Sequence, residues 1–153
     1  MSKLRYVGLS EIDLDDLKAL LNKKERREHL IEHSLFDSNT IKSWVKEKIQ
    51  VDSKNGCRIR GIISNNSIAG WCGIQFEDEK YEVAIVLGNE YWGIGTRVFR
   101  DIMSWAHELG HDEIFIRLLH TRSEYKFLRK RSKNVFVSEH LGNRFTTYQL
   151  SVN

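Results

Sequence analysis

Residues 81–96, YEVAIVLGNEYWGIGT, decide the fold of this chain. The first seven residues, from Tyr81 to Leu87, are rich in β-branched and apolar side chains, which predicts a central strand covered on both faces. The residues that follow predict an amphipathic helix ending at Gly110, because apolar side chains recur at helical spacing: Val98, Phe99, Ile102, Met103, Trp105, Ala106 and Leu109. The turn from Tyr91 to Thr96 therefore joins a buried strand to a strongly amphipathic helix.

This turn has the features of an anion site. The first N–H groups of a helix lack carbonyl partners within it, and the helix dipole places partial positive charge at the same end. Gly93 and Gly95 allow a phosphate to approach the main chain without meeting a Cβ atom. A Gly-x-Gly pair alone is equally compatible with a close-packed turn that binds nothing. The turn by itself thus predicts either a phosphate site or a tight junction.

The N-terminal part of the chain predicts one strand and two helices. Arg5 to Leu9 has the pattern of a short strand, and Ser10 with Asp13 resembles a capping box in front of a leucine-rich helix. A second helix is expected from Ser38 to Gln50, after the capping candidate Asp37. The order is therefore strand, helix, helix.

The middle of the chain predicts a three-stranded meander. Strand-like runs extend from Cys57 to Ser64 and from Ile68 to Phe76, joined by a tight turn at Asn65-Asn66-Ser67. A second turn at Glu77 to Lys80 leads into the central strand. Downstream of Gly110 we expect a buried strand (Glu113–Leu119), a basic helix (His120–Ser132) and a closing hairpin (Asn134–Glu139 with Arg144–Val152).

The overall composition predicts a single domain, residues 1–153. The chain has 153 residues, of which 41% are hydrophobic, enough for one core. No segment approaches the roughly 18 consecutive apolar residues of a membrane span, and no apolar signal core follows the N-terminus. Cys57 and Cys72 have no metal-like spacing and suit a reducing compartment. We expect a cytoplasmic protein without a membrane partner.

In this order the elements resemble the GCN5-related N-acetyltransferase (GNAT) family over essentially the whole chain. Ile68–Gly73 resembles the family's apolar third strand, Tyr91–Thr96 its pyrophosphate-binding turn, and Trp105–Gly110 the end of the helix that follows. The resemblance implies an α/β (α+β) fold with a mixed, mostly antiparallel central sheet. Strands 4 and 5 of that sheet would run parallel and splay apart, and helices would cover both faces.

The resemblance also implies acetyl-CoA as the acetyl donor, with no metal. Main-chain groups of the fourth strand would bond the pantetheine arm, and amides of the turn would bind the pyrophosphate. His120 stands where the family often has an Asn that contacts the cofactor. Glu90 stands at the leading turn position, where the family usually has Arg or Gln. The implied cofactor-binding residues are Ile85, Val86, Leu87, Trp92, Gly93, Ile94, Gly95, Thr96 and His120.

Two residues are candidates for proton transfer in the implied reaction. Glu82 lies where the family often has a glutamate, and a partly buried carboxylate with a raised pKa suits a general base. The alternative is a solvated strand residue. The family often has a thiolate-protonating Tyr at the position of Phe127, so Tyr125, two residues away, is the candidate acid. Because two residues correspond to about 200° of helix, Tyr125 is not a direct substitute.

The acceptor implied by the resemblance is a primary amine, on a small molecule or on a protein or peptide. Trp44 and Trp71 are candidates for lining its pocket, although core packing is the simpler role of each. A basic segment between Arg117 and Lys133 suits either CoA phosphates or a solvated face, and RNA binding is an unfavoured alternative. A homodimer, common in the family, stays open.

A competing hypothesis concerns His29-Leu30-Ile31-Glu32-His33, which reads H-x-x-E-H. His29 and His33 lie one helical turn apart, as a zinc site with Glu32 as base would require. The surrounding residues are highly charged and no third ligand follows at a recognisable spacing. A solvated helix face is the preferred interpretation, and we expect no metal.

Overall fold

The computed structural model describes residues 3–23, 35–119, 126–140 and 142–152, and in this part the chain forms a seven-stranded sheet with helices on both sides. The strands are β1 (Leu4–Val7), β2 (Arg58–Ser64), β3 (Ser67–Glu77), β4 (Lys80–Leu87), β5 (Glu113–Leu119), β6 (Ser132–His140) and β7 (Asn143–Ser151). The helices are α1 (Leu14–Asn22), α2 (Ser38–Asp52), α3 (Gly95–Glu108) and α4 (Lys126–Arg131).

The strand order is β1-β2-β3-β4-β5-β7-β6, and only the β4–β5 pair is parallel in this sheet of the described residues. This is the mixed, mostly antiparallel α/β fold that the sequence predicts. Two turns at the tips of the meander explain its register. Asn65 and Asn66 have φ of 50° and 68°, and Asp78 and Glu79 have φ of 52° and 62°. Two-residue hairpin turns of this kind require positive φ, which Asn and Asp tolerate best among the residues other than glycine.

Each sheet face carries its own hydrophobic layer. On one face α3 and α4 pack over the sheet, and the buried residues include Val98, Ile102, Leu128 and Tyr148. On the other face α1 and α2 cover Ile59, Trp71 and Val86, joined by Leu17 and Ile41. The prediction of helices on both faces is therefore confirmed. The sheet lies between the two layers, and side chains alternate between them along the strands, with a break in β3, where Ala69 and Trp71 are two residues apart but lie in different layers.

The start of α1 differs from the sequence-based expectation. The first helix does not begin after Ser10: residues Leu9–Glu11 form a single 3-10 turn, and Asp13 is the N-cap, accepting a hydrogen bond from the Asp16 amide at 3.0 Å. The cause is Ile12, which is extended and buried. Its Cδ1 occupies the space where a Cβ on Gly61 would lie, at 2.0 Å. Packing of Ile12 against the sheet thus outweighs the local capping signal.

The second capping prediction is confirmed. The Asp37 carboxylate accepts hydrogen bonds from the Asn39 and Thr40 amides, both at 2.8 Å, and the Thr40 hydroxyl accepts one from the Asp37 amide. These bonds to the charged form hold the pKa of Asp37 below its ordinary value. Helix α2 then continues to Asp52, two residues past the expected Gln50.

We expect Gly70→Ala to lower the free energy of unfolding by about 3 kcal/mol or more. A Cβ on Gly70 would lie 1.8 Å from the Val86 carbonyl oxygen and 3.0 Å from the Leu87 Cα, so β3 and β4 would have to separate. Gly93→Ala is the matched control, because a Cβ there meets no atom within 4 Å. Urea titrations of both variants measure the difference, and equal midpoints would contradict the close approach of β3 to β4.

None of the helices in the described ranges is long and apolar enough to cross a membrane. Cys57 and Cys72 are buried free thiols, and burial raises the pKa of both.

Candidate active site

The site is a fork between two parallel strands. β4 and β5 are paired only at Glu82 with Phe115 and at Val83 with Ile116. Beyond Val83, β4 continues for four residues to Leu87 with pairing to β3 alone, and β5 continues to Leu119 with pairing to β7 alone. The carboxyl ends of the two strands therefore separate, as the sequence predicts.

The direction of the β4 main-chain groups follows from its pairing with β3. The Gly88 amide donates to the Ala69 carbonyl at 2.9 Å, and the Val86 carbonyl lies against Gly70. Because successive residues of a strand face opposite neighbours, Ile85 and Leu87 direct their N–H and C=O groups toward the fork. Val86, predicted with them as a cofactor contact, directs its main chain toward β3 instead. Its side chain is buried under α1 and α2.

The glycine turn leaves open space beside the start of α3. A Cβ on Gly93 would meet nothing within 4 Å, and a Cβ on Gly95 would only touch the Leu87 Cδ1 at 3.7 Å. Packing within the chain therefore does not demand glycine at either position. This argues against the alternative of a close-packed turn and leaves room for a ligand group at the main chain.

The same turn forms the uncapped start of a helix. Residues Asn89–Ile94 form a 3-10 helix that leads directly into α3, and no side chain caps the first turn of α3. Amides within the 3-10 segment bond to its own carbonyls. The N–H groups of Gly95 and Thr96, at the start of α3, are the best-placed donors of the predicted set. Exposed Arg97 adds positive charge to this turn.

Glu90 does not leave an uncompensated charge at this turn. Its Oε1 lies 3.9 Å from Nζ of Lys23, at the end of α1, and both side chains are about half exposed. A long, exposed ion pair contributes little stability. It does place a cation beside the carboxylate, which weakens its repulsion of a nearby phosphate.

Glu82 lies at the base of the fork and is 6% exposed. Its Oε2 accepts from the Arg117 guanidinium at 3.4 Å. The same guanidinium lies 3.1 Å from Asp78 and 3.7 Å from Glu77, so one cation serves three carboxylates. Its Cζ also lies 5.1 Å from the centre of the Phe145 ring. The solvated-strand alternative for Glu82 therefore does not describe its position.

Burial raises the pKa of Glu82 from 4.5 to about 7. The Arg117 guanidinium lowers this pKa, and the nearby Glu77 and Asp78 carboxylates raise it again. At neutral pH the carboxylate is thus close to half protonated and can exchange a proton readily. These are the properties of a general base working at neutral pH.

A cluster from α2 and β3 stands on the same sheet face as Glu82. Trp44 and Trp71 pack edge to face with ring centres 5.3 Å apart. Nζ of Lys48 lies 4.9 Å from the centre of the Trp71 ring and donates to Gln75 Oε1 at 2.8 Å. The sequence suggested the two tryptophans, but not Lys48 or Gln75. The one sequence feature that could have indicated Lys48 is its position on the apolar stripe of α2, where a lysine is unexpected.

Several predicted residues lie outside the described ranges: His29, Glu32 and His33 of the zinc hypothesis, and the cofactor and acid candidates His120 and Tyr125. The expected basic helix from His120 is seen only as α4, Lys126–Arg131. Within the described ranges no cluster of three or more His, Cys, Asp or Glu side chains is arranged to hold a metal ion.

The sequence model of the acetyltransferase (GNAT) domain matches residues 3–123, most of the chain. The chain belongs to the GNAT acetyltransferase family. The matched segment contains both arms of the β4–β5 fork and the glycine turn. Family membership makes the protein an acyltransferase by class.

Solved structures share this fold at low sequence identity. An acetyltransferase from Salmonella typhimurium, which modifies the N-terminal serine of the 50S ribosomal subunit protein L7/L12, aligns with a TM-score of 0.75 and 15% identity over 99% of this chain and 95% of that one. The PaiA N-acetyltransferase from Thermoplasma acidophilum, in complex with coenzyme A, aligns with a TM-score of 0.62 and 16% identity, over 97% of this chain and 99% of that one. An N-acetyltransferase from Staphylococcus aureus aligns with a TM-score of 0.71 and 12% identity, over 100% of this chain and 99% of that one. No curated protein matches the sequence.

The residues of this GNAT domain fit a CoA-type ligand. A pantetheine arm carries amides that can pair with the main-chain groups of Ile85 and Leu87, as an added strand would. The open space at Gly93 and the uncapped start of α3 suit a pyrophosphate.

Proposed function

We propose that this GNAT domain is an acetyl-CoA-dependent N-acetyltransferase that acts on a primary amine. The observation that supports this most is the combination of an open β4–β5 fork with a buried carboxylate, Glu82, at its base. Acetyl-CoA supplies an acetyl group activated as a thioester. Ile85 and Leu87 align its pantetheine arm along β4, and the main-chain amides of Gly95 and Thr96 bind its pyrophosphate beside the open space at Gly93.

Glu82 is the proposed general base. A primary amine is protonated at neutral pH and must lose a proton to attack a carbonyl carbon. Glu82 accepts this proton, directly or through one water molecule. A C–N bond forms and the thioester C–S bond breaks, the nitrogen releases its second proton to solvent, and the CoA thiolate is protonated from solvent or from a donor outside the described residues. An N–H group of β4 facing the fork stabilises the negative charge on the carbonyl oxygen.

The acceptor site lies on the α1–α2 face of the sheet. The carboxylates of Glu77, Asp78 and Glu79 at the β3–β4 turn attract a cationic amine toward Glu82. The S. typhimurium enzyme with this fold modifies a protein N-terminus. Peptide α-amines, lysine side chains and small amines are therefore the acceptor classes to be compared.

A thiol-release assay with acetyl-CoA and a panel of these amines tests the proposal. We expect at least one class to accelerate CoA release at least about tenfold over hydrolysis and to gain one acetyl group by mass spectrometry. If the protein binds acetyl-CoA and no amine accelerates release, the proposed activity is wrong. The chain would then be a CoA-binding module, the second function its fold allows.

Arg117 is expected to set the pH range of activity. Its guanidinium lowers the pKa of Glu82, so Arg117→Met should move the rising limb of kcat/KM to higher pH by about one unit or more. With a shift of one unit, the variant at pH 7 would have about a tenth of its plateau activity, which is about a fifth of the wild-type activity at that pH, and it would recover by pH 9. Arg117→Lys keeps a cation and should keep the profile nearer to wild type. If the rising limb of kcat/KM in Arg117→Met stays in place or moves to lower pH, this role of Arg117 is contradicted.

A further inference from the structure

Lys48 is a cation held in a partly enclosed, aromatic position. Its Nζ lies 4.9 Å from the centre of the Trp71 ring and 5.6 Å from that of Trp44. Its hydrogen bond to Gln75 Oε1 measures 2.8 Å. Helix α2 presents this side chain toward the sheet, whereas its neighbour Lys46 is exposed. The position of Lys48 is therefore set by packing and by one directed hydrogen bond.

The strand register places Lys48 beside the proposed base. Gln75 pairs directly with Glu82, so their side chains stand next to each other on one face. Two residues further along, Gly73 pairs with Ala84, and the pair after that is Trp71 with Val86. Lys48 contacts Gln75 in the first of these pairs and Trp71 in the last. Its ammonium group therefore lies over the small residues between them, one side chain away from Glu82.

The charge of Lys48 is poorly compensated. Arg117, on the other side of Glu82, has three carboxylates around it. Among the described residues no carboxylate lies within 4.0 Å of Lys48 Nζ. Desolvation lowers its pKa, and the more distant Glu77 and Glu47 offset this only in part. Removing a cation from water without a paired anion is costly, and an anionic ligand group would offset that cost.

The donors around Lys48 suit a carboxylate. When Gln75 Oε1 accepts from Lys48, its amide nitrogen is a second donor at the same place. An ammonium and an amide N–H together match the two oxygens of a carboxylate. A dianionic phosphate would call for more positive charge than Lys48 provides, and the cation of Arg117 is already shared among three carboxylates.

We propose that Lys48, with Gln75, forms a carboxylate subsite in the acceptor pocket and selects amines that also carry a carboxylate group. This inference rests on the proposed function and specifies its substrate class. The acceptor would span the pocket with its nitrogen at Glu82 and its carboxylate at Lys48. Lys48 is then a specificity-determining residue, and its loss should affect KM for acidic acceptors more than kcat.

Direct binding of product-like ligands tests the subsite without relying on turnover. The probes are N-acetylglycine, N-acetyl-β-alanine and N-acetyl-γ-aminobutyrate, each compared with its carboxamide by calorimetry. The three lengths cover different separations of nitrogen and carboxylate. We expect at least one carboxylate to bind wild type about tenfold more tightly than its amide, a difference of about 1.4 kcal/mol. Lys48→Met should abolish this preference, because it keeps most of the side-chain length and removes the charge.

Two variants serve as controls for that experiment. Lys46→Met removes an exposed lysine two residues away, about 200° around α2, and should leave the preference intact, and Lys48→Arg should restore most of it. Equal binding of carboxylates and amides to wild type, absence of binding by all carboxylates, or a preference that survives Lys48→Met would overturn the subsite. A separate acetyl-CoA titration distinguishes the two proposals. Carboxylate selectivity without acetyl-CoA binding would contradict the proposed function and leave the subsite standing.

Discussion

Replacing Glu82 by Gln is expected to lower kcat for the preferred amine by a factor of about 10² to 10⁴, the usual contribution of a general base. The amide keeps the size of the side chain and can still meet Arg117, but it cannot accept a proton from the acceptor. In wild type, kcat/KM should rise with pH and level off above about 7, following the raised pKa of Glu82. In the variant this limb should be lost.

Stability separates a catalytic effect of this variant from misfolding. The pKa of Glu82 is about 7 in the folded chain and near 4.5 when unfolded, so the folded state binds the proton more tightly between these values. Stability contributed by the protonated form is lost as pH rises through this window. Because glutamine does not ionise, Glu82→Gln avoids this loss of stability. The variant should therefore have a higher free energy of unfolding than wild type at pH 8, by about 3 kcal/mol at most. At pH 4 the gain should be small.

The matched control for Glu82 is Glu79→Gln, which removes an exposed carboxylate from the neighbouring turn. Its effect on kcat should be less than about threefold, because Glu79 is proposed only to attract the amine through a screened, long-range charge interaction and takes no part in proton transfer. Steady-state assays of the three proteins between pH 5.5 and 9 provide the comparison. Unchanged turnover in Glu82→Gln would remove Glu82 from the mechanism, whatever the stability data show.

The double variant Gly93→Glu/Gly95→Glu is expected to weaken acetyl-CoA binding by about a hundredfold or more, which corresponds to about 2.8 kcal/mol. Two carboxylates would stand at the start of α3, where the pyrophosphate is proposed to bind, and their side chains would fill the space that the glycines leave open. Neither Cβ collides with the protein, so the fold should tolerate both changes.

Charge and bulk can be separated with Gly93→Gln/Gly95→Gln, which adds side chains of similar size without the charge. We expect this variant to lose clearly less affinity than the Glu variant. Raising the salt concentration should reduce the difference in acetyl-CoA affinity between the Glu and Gln variants, because ions screen exposed charges. Calorimetric titration of all three proteins measures the effect. Equal affinities in wild type and the Glu variant would place the cofactor elsewhere.

Sequence patterns among neighbouring residues were sufficient to predict most strands of the sheet. The Asn65-Asn66 pair specifies a positive-φ turn, and the apolar run from Tyr81 to Leu87 identifies the central strand, because these features depend on residues close in sequence. The start of α1 was misplaced for the opposite reason. Ile12 is extended because it packs against Gly61, about fifty residues away, and no local capping rule contains that contact.

The site was predictable as a set of main-chain positions, but not as a set of side-chain partners. Glu82 and the glycine turn could be named as candidates because they belong to a single strand-turn-helix segment. Arg117 could be seen only as one of many basic residues, because its three carboxylate partners come from β3, β4 and the turn between them. Lys48 meets Gln75 and Trp71 across two elements, and that meeting depends on the register of the sheet.

The measurement that tests the account most directly is amide hydrogen exchange of β4 with and without acetyl-CoA. Binding in the fork predicts slower exchange at Ile85 and Leu87, whose N–H groups face β5, and at Gly95 and Thr96. The Val86 amide, directed toward β3, should change little and serves as an internal control. Unchanged exchange at Ile85 and Leu87 under saturating acetyl-CoA, or protection confined to other strands, would contradict a cofactor site between β4 and β5.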